Sequence, residues 1–486
     1  MRDYFTADQV RAAEAPLLTA LPDGALMRRA AYGLTAVVAS ELRSRTGGVA
    51  GRRVTLLVGS GDNGGDALWA GAMLRRRGVA VRAVLLDPVR AHAAGLAALR
   101  AVGGRVEVGA DADLGDPDLV VDGIVGISGR GPLRPPAAAL VARVGVPIVA
   151  VDLPSGVDPD TGVTAGPAVT ASVTVAFGAL KPVHALAAAH CGRVELVDIG
   201  LDLPDASVRT LTAAEVGARW PMPGPADDKY SQGVVGVIAG SARYPGAGVL
   251  CAGAAVTATS GMVRYAGTAA PQVLSRWPEV VAVDGFDAAG RVQAWVVGPG
   301  MGVDEEALTV LRAVLGTDLP VLVDADALTL VAAEPGLVAG RSAPTLLTPH
   351  AGEFARLTGR GSASQRLAAD RVAATRGLAA EWGISVLLKG RCTVVADPDG
   401  SVLLNEAGGS ASATAGAGDV LSGVIGALMS TGLAPLTAAA MGARAHSLAA
   451  NLAAGQGSGT AAPVSADALL CQVRAAVRVL RAQAVP

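Results

Sequence analysis

The sequence predicts an α/β protein built as two units, each around a parallel sheet. Three observations carry that reading. Short apolar runs alternate with helical stretches in both halves of the chain. Glycine-rich turns or single carboxylates follow several of those runs, as they do at ligand crevices of open parallel sheets. The composition suits close helix–sheet packing, with 51% hydrophobic and 17% charged residues, 63 glycines and 3% aromatics. At 486 residues the chain exceeds one ordinary core.

Several function classes are disfavoured at once. A net charge of −2 argues against a nucleic-acid binder with a broad basic face. Cys191, Cys251, Cys392 and Cys471 are far apart and form no CxxC pair, so neither zinc nor a disulfide framework is expected, and buried thiols are. The first ten residues carry charges where a signal peptide needs an apolar core. Tyr244–Val263 and Val420–Ala443 approach membrane length but are rich in small residues, and Pro435 interrupts the second. A cytoplasmic enzyme with no membrane partner is expected.

In chain order, residues 6 to 45 read as two helices, the first capped by Thr6, with Leu21-Pro-Asp-Gly24 between them. Arg53–Val58 is long enough for a buried strand. It empties into Gly59-Ser-Gly-Asp-Asn-Gly-Gly-Asp66, ahead of the helical 67–77 stretch. Strands follow at 81–86, 119–124, 146–151, 173–177 and 194–197, and Asp122 and Asp152 close two of them. As turn formers, either Asp needs no function, but the series points to a converging site. The proline-rich 206–224 stretch reads as a linker between a 1–205 unit and a 225–486 unit.

The second unit restarts the rhythm at Val234–Ala239, followed by Gly240–Gly248 and a small-residue helix. A hairpin is expected from 393–396 and 401–404, turning at Asp397-Pro-Asp-Gly400. The series closes on Gly408-Gly-Ser-Ala-Ser-Ala-Thr-Ala-Gly-Ala-Gly-Asp419, before an apolar helix. Gly416 and Gly418 permit a tight turn whose N–H groups can hold an anion. Asp419 could then take a proton from a hydroxyl beside a held phosphate. A plain loop with an Asp helix cap is the alternative.

Together these motifs resemble a known family. The second half is similar to the ribokinase-like ADP-dependent NAD(P)H-hydrate dehydratases, through Tyr244-Pro-Gly-Ala247, Gly298-Pro-Gly-Met-Gly302, Asp324-Ala-Asp-Ala-Leu328, Thr348-Pro-His350, Leu388-Lys-Gly390 and Thr414–Asp419. The first half resembles the Rossmann-like, three-layer NAD(P)H-hydrate epimerase often fused ahead of it, through Asn63-Gly-Gly-Asp66, Asp122, Asp152-Leu-Pro-Ser-Gly156 and Phe177–Pro182. The resemblance implies repair of hydrated nicotinamide cofactor. The first domain would interconvert the R and S epimers of NADHX and NADPHX. The second would dehydrate the S epimer at the expense of ADP.

The resemblance also implies site residues. Potassium ligands fall on Asn63, Asp122 and Ser155. Epimerase substrate contacts fall on Asp62, Asn63, Gly64, Gly65 and Asp66, on the Gly126, Ile127, Ser128, Gly129, Arg130, Gly131, Pro132 loop, and on Asp152, which is also the candidate acid/base. Two departures stand out: Asp62 replaces the family's usual Asn, and Ala67 its usual Gly. In the second domain, hydrate contacts map to Ala247, Gly302, His350 and Asp419, with Asp419 as base. Nucleotide contacts map to Lys389, Gly390, Arg391, Cys392, Thr393, Gly416 and Gly418. Mg²⁺ would screen the phosphates. A homo-oligomer is expected. A ribokinase-like kinase of a vitamin precursor or sugar is the rival reading, and released phosphate against phosphorylated product separates the two.

Overall fold

The computed structural model describes residues 1–259, 261–359, 361–455 and 460–484. Contacts divide the chain into one unit spanning Asp3–Ala206 and another formed by Ser207–Pro486 with Met1–Arg2.

In the first unit, Ala7–Ala20 and Ala25–Thr46 are the two expected helices. Thr6 and Gln9 close a capping box on the first helix, which satisfies N–H groups that its opening turn cannot. The sheet has seven strands, all parallel, in the order Arg105–Val108, Ala80–Leu85, Arg53–Val58, Leu119–Gly123, Ile148–Val151, Val173–Phe177 and Arg193–Val197. Chain order reverses between Arg53–Val58 and Leu119–Gly123, so a crevice opens there beyond the strand ends. Apolar clusters cover both faces of the sheet, which is why its strands read as continuous apolar runs. The edge strand Arg105–Val108 was not expected; its alternating charges hide it from a hydrophobicity pattern.

In the second unit, Val281–Ala282, Met262–Tyr265, Val234–Ile238, Ala294–Val297, Val321–Val323, Thr345–Leu347 and Ser385–Leu388 lie side by side in parallel. Cys392–Ala396 and Val402–Glu406 then pair antiparallel as the hairpin. The helix Ala417–Ser430 packs on the small-residue helix Pro245–Ala258, where a Cβ on Gly423 would come within 2.2 Å of Cys251 O.

Two expectations need correction. The 206–224 stretch is not a bare linker: Val208–Thr210 pairs with Val402–Glu406, and Ala213–Arg219 is a helix with a Thr212–Glu215 capping box. Prolines at its edges drew attention from a short strand and a cap signal inside it. Cys471 is exposed, although the other three cysteines are buried. Among the described residues, no helix is long and apolar enough to cross a membrane.

Candidate functional sites

Each unit gathers carboxylates beyond the C-terminal ends of its central strands. In the first, Gly59 follows the Arg53–Val58 strand where a Cβ would lie 1.8 Å from Ile124 O, so the turn accepts only glycine. The following helix begins at Asp62, placing Asn63, Gly64, Gly65 and Asp66 in its buried first turns. Asn63 Nδ2 donates to Val151 O at 2.6 Å, and its Oδ1 faces Gly126, where a Cβ would sit 2.1 Å away. Asp122 is fully buried: one oxygen accepts from Ser155 Oγ at 2.7 Å, and the other from Ser155 N at 2.9 Å. Burial pushes its carboxyl up to about 6 against the pull of these bonds. Val125 N donates to Ser155 Oγ at 2.9 Å. Asn63, Asp122 and Ser155 therefore surround the 124–126 turn.

Asp152 is one of three non-glycine residues in the left-handed region among those described, at φ 65°. Its Oδ1 accepts from Lys181 Nζ at 2.5 Å and Phe177 N at 3.1 Å. Behind it, His184 Nδ1 accepts the Lys181 N–H at 2.9 Å and Nε2 donates to Asp152 O at 2.9 Å, a neutral tautomer consistent with burial lowering it to about 4. Sequence reasoning missed Lys181 and His184; the Phe177–Pro182 motif held the former without signalling its partner. Arg130, on the Gly126–Pro132 loop, ion-pairs with Asp158 and Asp160 at 3.7 and 3.4 Å. Glu14, Asp62, Asp66, His92 and Phe177 line a cavity of about 350 Å³.

In the second unit, Gly416 occupies the N-cap of the Ala417–Ser430 helix at φ 83°, and among the described residues no side chain caps that helix. Asp419 lies in the helix's first turn but is not its cap, which removes the cap alternative. Burial, then the Asp324 charge, raises Asp419 to about 6, with Lys389 opposing them. Asp324 is 1% exposed and bonded by Lys389 Nζ at 2.5 Å and Ser422 Oγ at 2.7 Å. The adjacent Ala325 adopts φ 51°, and Asp326 Oδ2 accepts from Gly302 N at 3.0 Å. Ala247 meets the same turn, since a Cβ on Gly300 would come 2.8 Å from its methyl. His350 caps the Ala351–Leu357 helix through Nδ1, which accepts from Gly352 N at 2.9 Å, and its side chain is half exposed. Lys389, Gly390, Arg391, Thr393, Gly418 and His446 line a cavity of about 390 Å³. Cys392 does not line it; that thiol is buried and pushed up to about 12. Asp324, Ser422 and His446 are contributors that sequence reasoning missed, although Asp324 stood inside a motif.

Fold and site together define a two-unit α/β enzyme, one unit with an oxygen-lined turn and an acidic cavity, the other with a glycine-opened helix and a buried carboxylate. A family model described as NAD(P)H-hydrate dehydratase matches residues 235–472, and one described as YjeF-related protein N-terminus matches residues 23–183. The bifunctional NAD(P)H-hydrate repair enzyme Nnr of Mycobacterium leprae is 59% identical over 483 residues, covering 99% of this chain and 100% of that one. Its namesake in Mycobacterium tuberculosis strain H37Rv is 60% identical over 443 residues, covering 90% and 92%. A Bacillus subtilis ADP/ATP-dependent NAD(P)H-hydrate dehydratase, co-crystallised with ATP/Mg²⁺, aligns with TM-score 0.50 and 28% identity, covering 56% of this chain and 99% of that one. The chain belongs to the bifunctional NAD(P)H-hydrate repair enzyme family.

Proposed function

We propose that the first unit epimerises R- and S-NAD(P)H hydrate and that the second dehydrates the S epimer using ADP, releasing AMP and phosphate. The observation that carries the second activity is Asp419, a buried carboxylate raised to about 6 in the first turn of an uncapped helix. Ionised at neutral pH yet more basic than an ordinary carboxylate, it suits proton removal from the hydrate's hydroxyl. The oxygen so freed attacks the β-phosphorus of ADP, and AMP leaves. First-turn N–H groups and Lys389 offset the phosphate charge. The ring nitrogen then expels phosphate from the hydrated carbon, and loss of a proton from the neighbouring carbon restores the dihydropyridine.

Mg²⁺ would supply further charge screening. Asp324 already carries the Lys389 ammonium, so Asp326 is the neighbouring carboxylate that would help hold it, with phosphate oxygens as the other ligands. In the first unit, K⁺ would be held by Asn63 Oδ1, Asp122 and Ser155. An amide, a carboxylate and a hydroxyl are all hard oxygen donors, and the amide oxygen already faces the turn. A cytoplasmic setting and a homo-oligomeric assembly belong to the same proposal.

The test mixes purified protein with hydrated NADH and ADP. Absorbance of NADH should return, with one phosphate released per NADH formed. Appearance of a stable phosphorylated hydrate instead would make the protein a kinase.

A further inference from the structure

The first unit holds a carboxyl that neither the strand-end chemistry nor the potassium site uses. Asp66 is 6% exposed, and its Oδ1 is buried with no hydrogen-bond partner among the described residues. It lines the acidic cavity with Glu14, Asp62, His92 and Phe177. Phe177 joins this cavity to Asp152, because its backbone N–H is one of the two donors to Asp152 Oδ1. The two carboxyls meet opposite surroundings. Asp152 is paired with the buried Lys181 ammonium, whose second bond goes to Phe177 O at 3.2 Å. Among the described residues, no such cation is bonded to Asp66.

The groups facing Asp66 are almost all anionic. Asp62 lies on its own helix, Glu14 comes from the Ala7–Ala20 helix, and Asp152 from the strand end. His92 presents a ring whose Nδ1 is used, accepting from Gly95 N at 3.0 Å. A buried carboxylate without a hydrogen bond is expensive, whereas the protonated form is not. Burial first, and then the charges of Asp152, Asp62 and Glu14, hold Asp66 well above the usual carboxylate range.

We infer that Asp66 is the acid of the epimerase site, giving its carboxyl proton to the substrate's hydroxyl, while Asp152 is the base. This rests on the epimerase reading above. Two carboxyls whose surroundings separate them in this way are suited to opposite roles. In the first half-reaction the Asp66 O–H bond breaks and its proton passes to the hydroxyl on the hydrated carbon. The C–O bond breaks, water leaves, and the ring nitrogen lone pair forms a C=N bond. Water then adds to the other face of the planar carbon. A new C–O bond forms, the C=N electrons return to nitrogen, and the surplus proton goes to Asp152, whose Oδ1 is already engaged. Exchange with solvent returns a proton to Asp66 and removes the surplus one from Asp152. Asp62 has a lesser part, after burial and Asp152: its charge disfavours ionisation of Asp66.

The test uses the whole chain without ADP, pure R-NADHX as probe, and chromatography of the epimer ratio against pH. Wild type should exceed the spontaneous rate and lose activity at alkaline pH as Asp66 ionises; no excess over the spontaneous rate removes the epimerase reading itself. Asp66→Asn keeps the shape without the proton, so kcat should fall by about 10²–10⁴ with a smaller change in KM. Wild type that epimerises beside an Asp66→Asn protein within a few-fold of it overturns the inference and leaves the reading intact. Asp62→Asn should move the alkaline limb to lower pH; an unmoved limb removes its assigned role. Difference infrared spectra of wild type minus Asp66→Asn should show a protonated carboxyl band at neutral pH, and its absence also overturns the inference. Should Asp66→Asn not fold, the Asp62→Asn profile decides.

Discussion

Lys389 Nζ lies 2.5 Å from Asp324 Oδ1, while Ser422 Oγ donates to the other oxygen of the same carboxylate. The lysine is therefore anchored in the lining of the second unit's cavity by a group 1% exposed, rather than waving from a strand end. It is also the cation that restrains the rise of Asp419. Structure and proton chemistry are coupled through that one pair, and the predictions start there.

Lys389→Met should act twice. Asp324 would be left as a buried, uncompensated charge, so the second unit should lose about 3–5 kcal/mol of stability. Asp419 would lose the cation that favours its ionised form, so its carboxyl should rise further above about 6. The acid limb of the dehydratase pH–rate profile should then move to higher pH. Denaturant melts and a kcat profile between pH 5 and 8 check both, in roughly the interval where such a group titrates.

Asp419→Asn keeps shape and hydrogen bonding and removes proton acceptance. Dehydration of pure S-NADHX should slow by about 10²–10⁴, or roughly 3–5 kcal/mol of barrier. Because Gly416, not Asp419, occupies the N-cap, the melting temperature should hold. ADP affinity should change little. A variant that turns over within a few-fold of the parent refutes the assignment of Asp419 as base.

Asp122→Ala should impair epimerisation and leave dehydration of pure S epimer unchanged. K⁺ at constant ionic strength should raise the melting temperature of the first unit in wild type but not in this variant. Asp122 is raised to about 6, so without the cation its ionisation costs stability as pH rises through that value. Below the unfolded carboxylate range the raised value contributes in full, and K⁺ should add little. Stabilisation by K⁺ should therefore grow as pH rises through 6. Thermal melts in KCl against choline chloride measure it.

A fragment starting at Ser207 should fold and dehydrate the S epimer alone. One starting at residue 225 should be much less stable. It lacks Val216, fully buried, and Trp220, 4% exposed with its Nε1 bonded to Ala258 O at 3.0 Å. Burying such side chains contributes about 1.5–3 kcal/mol each. Equal melting temperatures for the two fragments would refute this account of the 207–224 segment.

The sequence by itself determined the local grammar of this protein. Apolar runs such as Arg53–Val58, Val173–Phe177 and Val234–Ile238 became strands because only sheets covered on both faces tolerate them. The Thr6 cap, the turn at Asp397–Gly400 and the glycine-opened helix before Asp419 depend on residues adjacent in the chain, so they were legible without coordinates. Tertiary structure alone decided which of these groups become partners. Lys181 meets Asp152 across 29 positions, Lys389 meets Asp324 across 65, and Ser422 meets Asp324 across 98. Nothing in a local pattern encodes such pairings, because parallel strands place residues from separate βα units at one sheet end. Protonation was equally out of reach. Asp66 and Asp152 are the same residue type at motif positions of similar appearance. Burial and neighbouring carboxylates, which exist only once the sheet has assembled, raise Asp66, whereas Asp152 has Lys181 as its ion-pair partner.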